Sequence, residues 1–265
     1  MAKKIAICNL KGGVAKTSTT FNLAINLSRL QNKKILLIDG DLQGDLTSAC
    51  GLIPSYQKVT ITELLLNKAG RHPLTSDDLK SAVIETEYAN IDLIACNMEN
   101  SLFQNKVFGL VRAEELLKRL ITDSGWDDVY DYILIDCPPS IGMIVTNILV
   151  AADEIIIPLD NVEAVRNIGY TKKAISEAKI ANPKLVINGV VLVKQKLQTV
   201  LHKELVEEIK ENLTGAYIYN SIIRDSTVAA TAMGIKEPLI MKYPKAKVTQ
   251  DYIEFTNEFL KKEAR

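Results

Sequence analysis

The chain has 265 residues, 47% of them hydrophobic, and its 32 Lys+Arg are balanced by 32 Asp+Glu. This is enough apolar material for a substantial core, expected as one α/β domain over residues 1–265, and the zero net charge excludes nucleic-acid binding through overall charge, leaving only a local basic patch. Four cysteines and two histidines with no C-x-x-C pair argue against a zinc site, a disulfide framework or an iron–sulfur cluster and for buried, reduced thiols.

Only Met1-Ala2-Lys3-Lys4 precede the first apolar run, which leaves no room for a signal peptide or a separate DNA-reading domain. The apolar stretch at 143–152 is broken by Thr146-Asn147, well short of the roughly 18 residues that a membrane span needs, so a cytoplasmic protein is expected. Apolar, β-branched runs at 5–8, 35–38, 91–95, 133–135, 155–157 and 186–193 alternate with helical patterns, of which 17–29 and 165–180 carry apolar residues three and four apart. That alternation predicts a doubly wound, mostly parallel sheet flanked by helices. Residues 54–90 are the least regular and read as surface helices and loops. The tail sets Ile253, Phe255, Phe259 and Leu260 among Glu254, Glu258 and Glu263. Its polar face is too acidic for an interfacial anchor, so a final helix packed on the domain is expected.

The first apolar run leads directly into Lys11-Gly12-Gly13-Val14-Ala15-Lys16-Thr17-Ser18. Two glycines let the backbone turn tightly and aim its N–H groups inward, Lys16 adds a point charge, and the Thr17 hydroxyl suits Mg²⁺. These eight residues read as a triphosphate-binding loop, although Leu10 and Ala15 stand where the general G-x-x-x-x-G-K-[ST] pattern has its glycines. The second run ends in Asp39-Gly40-Asp41-Leu42-Gln43-Gly44-Asp45, an acidic loop at a strand's C-terminal end. A later one ends in Asp136-Cys137-Pro138-Pro139, where an acid could hold Mg²⁺ through water and the prolines force the chain out of the sheet. Helix capping is the alternative role for all three aspartates.

The variant loop x-K-G-G-x-x-K-[ST], with Lys11 ahead of the glycine pair, resembles the deviant Walker A motif of the ParA/MinD superfamily of ATPases. Asp39 to Asp45 is similar to its D-x-D-P-Q-G-N segment, Asp136 to Pro139 to its D-x-P-P, and Ala151 to Pro158 to its A-A-D-x-x-[IL]-[IV]-P strand. The resemblance implies ATP and Mg²⁺ as ligands, with Thr17, Asp39 and Asp136 around the metal and slow ATP hydrolysis through Lys11, Lys16 and Asp41. By the same resemblance Asp41 positions the attacking water, and Lys11 reaches the nucleotide of a second subunit, making an ATP-dependent homodimer. Ala15 replaces a usual glycine, and its Cβ would strain a backbone of positive φ.

The resemblance further implies non-specific DNA as a partner, a ParB-type centromere-binding protein as the stimulator of hydrolysis, and a place on the nucleoid. Arg224, in a segment similar to the family's I-P-R-N, is the first candidate DNA contact, followed by Lys196, Lys242, Lys245 and Lys247. A structural ion pair for Arg224 and plain solvation for the lysines are the alternatives. A MinD-like membrane-associated ATPase and a metabolic ATPase of the same fold also stay open.

Overall fold

The computed structural model describes residues 1–70, 74–97, 103–107, 109–166, 168–196 and 199–264. Among them, each apolar run forms a strand: β1 (Lys3–Ile7), β2 (Ile35–Asp39), β4 (Ile91–Ile94), β5 (Tyr132–Asp136), β6 (Glu154–Leu159) and β7 (Val186–Gln195). Two further strands, β3 (Ile84–Glu85) and β8 (Ile218–Arg224), complete one sheet of order β3-β4-β2-β5-β1-β6-β7-β8. All neighbours run parallel except β3 against β4. The doubly wound α/β fold expected from the alternation of strands and helices is therefore the observed one.

Continuous apolar runs suit this sheet because helices cover both of its faces. Side chains alternate between two cores: Ile5 and Ile7 point to one and Ala6 and Cys8 to the other, and β2 divides Ile35 and Leu37 from Leu36 and Ile38 in the same way. Over the first face lie the helices Lys16–Gln31 and Lys247–Glu263, which contribute Phe21, Phe255 and Phe259. The second face is covered by Ile61–Lys68, Leu116–Ser124, Met143–Ala151 and Gly169–Ala181. All four cysteines are free and buried.

The helix expected over 165–180 is found as two, Val162–Arg166 and Gly169–Ala181. Within residues 54–70 and 74–90 the expected helices are present, and one of them is buried rather than at the surface. Ile61–Lys68 buries Ile61, Leu64 and Leu65 completely, and Ser76–Ala82 starts with a capping box in which Thr75 and Asp78 satisfy each other's amides.

The final helix packs on the domain as expected, with Phe255 and Phe259 fully buried. It also finishes the sheet. β8 is an edge strand, and the Glu258 carboxylate accepts hydrogen bonds from the Asn220 amide (2.8 Å), the Ser221 amide (2.8 Å), the Ser221 hydroxyl (2.5 Å) and the Tyr217 hydroxyl (2.6 Å). Burial raises the Glu258 carboxyl, but these hydrogen bonds outweigh it and push it down to about 2. The folded chain thus takes up this proton less readily than the unfolded chain, so the stabilisation is complete above the ordinary glutamate range and is lost as pH falls toward 2. Between pH 5 and pH 3, the wild-type chain should lose more unfolding free energy in urea than Glu258→Gln does. Equal losses in the two proteins would remove Glu258 from the edge-closing role.

Candidate nucleotide site

β1 feeds a helix on one face of the sheet, while its neighbours β5 and β6 feed helices on the other, so the loops diverge over their C-terminal ends. A crevice at such a point is where open α/β sheets hold ligands. Here it is a cavity of about 600 Å³ whose lining includes Gly13, Lys16, Thr17, Asp41, Lys194 and Lys236.

The loop after β1 is fixed by Asn9, whose side chain donates to the Pro158 carbonyl (2.8 Å) and accepts from the Lys11 amide (3.0 Å). Gly13 has φ 76° and Ala15 φ 54°, both left-handed. Ala15 therefore adopts the conformation in which its Cβ is strained. It is also the N-cap of Lys16–Gln31, a helix that starts with no side-chain cap and no acid in its first turn. Its leading N–H groups are left to an anion. Lys16 is only 7% exposed and donates across the loop to the Lys11 carbonyl at 3.1 Å.

The strand register brings the acids together, since Asp39 of β2 and Asp136 of β5 are direct partners. Thr17 Oγ1 donates to Asp136 Oδ2 at 2.6 Å. Asp136 Oδ1 is buried without a hydrogen-bond partner among the described residues. Burial, and then the neighbouring Asp39 charge, raise the Asp136 carboxyl well above the usual carboxylate range. An orphaned carboxylate oxygen beside a threonine hydroxyl fits a Mg²⁺ site. Among the described residues there is no group of three or more His, Cys, Asp or Glu that could hold a metal ion.

Asp39 is held by neighbours of its own loop and helix. Its Oδ2 accepts from the Thr47 amide (2.8 Å) and hydroxyl (2.7 Å), and its Oδ1 from the Asp41 amide (3.1 Å). Burial pushes its carboxyl up to about 7, against the lowering effect of these bonds. Asp39 is thus a buried brace that holds the loop of Asp41 and the helix Asp45–Ala49, the capping role that the sequence left open. Asp41 Oδ1 accepts from the Gln43 amide (3.1 Å), leaving Oδ2 without a hydrogen bond among the described residues. Gly40 between them cannot be larger, because an added Cβ would lie 2.6 Å from both the Asp136 carbonyl and Ile148 Cδ1.

The family model described as AAA domain matches residues 2–187. The chain belongs to this family. It is 29% identical over 262 residues to the sporulation initiation inhibitor protein Soj of Bacillus subtilis, covering 97% of this chain and 98% of Soj. It is 26% identical over 261 residues to the chromosome partitioning protein ParA of Caulobacter vibrioides, covering 98% and 94%. A solved structure of cobyrinic acid a,c-diamide synthase from Mycobacterium smegmatis, with bound ADP and magnesium, superposes with TM-score 0.81 at 26% identity over 100% of this chain and 97% of that one. Within the AAA-domain family the chain is a P-loop ATPase of the ParA/MinD type, as the deviant Walker A loop implied.

For this ATPase the structure adds residues that the motifs did not flag. Lys11 Nζ is held by Asp160 Oδ1 (3.1 Å) and Asn161 Oδ1 (3.2 Å), just beyond β6. Lys194, at the end of β7, donates to the Gly13 carbonyl at 2.7 Å. Both lie at C-terminal ends of parallel strands, the one signal in the sequence that could have found them. Arg224 places Nε 2.7 Å and Nη2 2.6 Å from the two oxygens of Asp251, a bidentate pair between β8 and the final helix. The ion pair that the sequence left open as the alternative is formed, with the Arg224 side chain still 28% exposed. Lys196, Lys242, Lys245 and Lys247 are exposed, and Lys242 is within 4.0 Å of Glu237.

Proposed function

We propose that residues 1–265 form one ATPase domain that works as a nucleotide-timed switch in DNA partition. The observation that carries this reading is the uncapped helix start at Lys16, set beside the Thr17–Asp136 pair at the C-terminal edge of the sheet. The loop from Lys11 to Ser18 binds the triphosphate with its amides, and Lys16 neutralises phosphate charge. When bound, Mg²⁺ supplies further charge neutralisation, held by Thr17 and, through water, Asp136. Asp41, on the turn that Asp39 braces, orients the attacking water. Positioning and electrostatics of this kind are what phosphoryl transfer requires of a protein.

Lys11 leaves Asp160 and Asn161 to reach the nucleotide of a second copy, so ATP joins two protomers and hydrolysis releases them. The Lys11–Asp160 pair is partly exposed and therefore weak, about 0–1 kcal/mol, which suits a contact that must break. In the dimer the exposed lysines Lys242, Lys245 and Lys247 meet DNA phosphates, with Lys196 as a further contact, while a ParB-type partner stimulates hydrolysis. The likeness to Soj and to a chromosome partitioning ParA over nearly the whole chain supports this reading. A cytoplasmic, nucleoid-bound protein follows from it. The membrane alternative has less support, because the apolar face of the final helix is engaged in the core and no described helix is long and apolar enough to cross a membrane.

The test is retention of the purified protein on DNA with ATP, ADP or no nucleotide at two salt concentrations. Binding should require ATP and weaken with salt. Lys242→Glu/Lys245→Glu/Lys247→Glu should lower affinity about tenfold or more at low salt while leaving nucleotide affinity intact. ATP-dependent dimers with no DNA affinity would instead favour a metabolic ATPase, the reading that the likeness to cobyrinic acid a,c-diamide synthase supports.

A further inference from the structure

Lys194 occupies an unusual position. The pairing of β7 with β8 slips beside it: Leu192 opposes Ile222 and Gln195 opposes Arg224, so β7 carries one residue more than β8 over this interval. Lys194 takes up the slip with a left-handed backbone, φ 53°. Such a conformation is unfavourable for a residue with a Cβ and persists only where its surroundings impose it. They do so here. The Gln195 side chain donates to the Asp160 and Val193 carbonyls, both at 2.7 Å, and the Gln195 carbonyl accepts from the Asp225 amide at 3.0 Å.

The consequence is a change of direction. Along β7, Val191 and Val193 point to one core and Val190 and Leu192 to the other. A bulge breaks such alternation and re-aims the side chain that it carries. Lys194 leaves the pattern, and its ammonium lies 2.7 Å from the Gly13 carbonyl oxygen, on the wall of the nucleotide cavity.

That carbonyl belongs to the same peptide unit as the Val14 N–H. In a trans peptide the two point in opposite directions, and the chain has no cis peptide bond. A cation fixed on the Gly13 oxygen therefore fixes the direction of the Val14 N–H, and polarises the amide so that it donates more strongly. Lys16 belongs to the loop itself, whereas Lys194 reaches in from another strand.

We infer that Lys194 is a positioning residue for nucleotide binding, which aims the Val14 amide at a phosphate shared by ATP and ADP. This rests on the reading of Lys11 to Ser18 as a phosphate loop. It also gives the loop a second brace next to Ala15, whose own left-handed backbone is strained.

The experiment is a titration of wild type, Lys194→Met, Lys194→Gln and Lys194→Arg with fluorescent ATP and ADP analogues in the presence of Mg²⁺. Lys194→Met should weaken both ligands by the same factor, about five- to tenfold, because one amide donor loses its alignment. Lys194→Gln, a neutral donor, should fall between, and Lys194→Arg should stay within about twofold of wild type. In steady-state hydrolysis KM should rise with kcat unchanged, the pattern of lost uniform binding. Melting of the nucleotide-free variants shows whether any has failed to fold, in which case the remaining variants carry the comparison.

If wild type binds and Lys194→Met binds equally well, the inference is overturned and the phosphate loop stands. Loss of kcat without a change in KM would overturn it too, since the ammonium would then act on the transferring group. Failure of wild type to bind either analogue would overturn both readings.

Discussion

Asp41→Ala should slow ATP hydrolysis about 10²- to 10³-fold, the usual effect of removing the group that orients or deprotonates an attacking nucleophile. Affinity for Mg²⁺-ATP should stay within about threefold, because the loop that grips the phosphates does not include this side chain. Folding should be little affected, since Asp41 Oδ1 accepts only the amide of the exposed Gln43. The variant should therefore accumulate as an ATP-bound dimer, visible by light scattering, that outlasts the wild-type dimer. Single-turnover hydrolysis measured beside nucleotide binding checks this. A fall in affinity as large as the fall in rate would mean that Asp41 holds the nucleotide rather than the water.

Arg224→Ala should destabilise the chain by about 2–4 kcal/mol, because it leaves Asp251, only 4% exposed, without its bidentate partner. For a protein of this size that is a fall in melting temperature of about 5–15 °C. Asp251→Ala should cost less, since the Arg224 side chain is 28% exposed and its charge can turn to water. Thermal unfolding of the two variants gives the answer. A melting temperature unchanged to within about 2 °C for Arg224→Ala would show the pair to be idle and return the arginine to the DNA candidates. Loss of DNA retention in an Arg224 variant has meaning only once this has been measured.

The parts of the molecule legible in the sequence are those whose cause is local. Strands buried on both faces print continuous apolar runs, and the phosphate loop prints its glycines, lysines and threonine in consecutive positions. β8 escaped because an edge strand carries Asn220 and Ser221 in its middle and buries only part of itself. The burial of the helix Ile61–Lys68, expected at the surface, escaped because its apolar residues sit among polar ones in a segment punctuated by Pro54 and Gly70. The roles of Asp39 and Arg224 depend on partners contributed by other elements. Thr47 is 8 residues away and Asp251 is 27, and no motif records either contact. Lys194 is the extreme case. Its position follows from a slip between two strands, and a lysine at a strand end carries no mark of it.

The closing of the sheet by the last helix has a consequence for how the protein is made. Every residue of the phosphate loop, the Asp41 turn and the Asp136 strand precedes the helix Lys247–Glu263 in the chain, and so leaves the ribosome before it. Yet the face on which the helix Lys16–Gln31 lies is completed only by Lys247–Glu263, where the Asn26 side chain meets the Thr256 hydroxyl at 3.2 Å. Until that helix emerges, β8 has an open polar edge and the core around Phe21 and Tyr219 has an open wall. The nascent chain therefore holds nearly all of its chemistry before it has a finished fold. Until that helix is in place, the β8 edge is open to pairing with another chain.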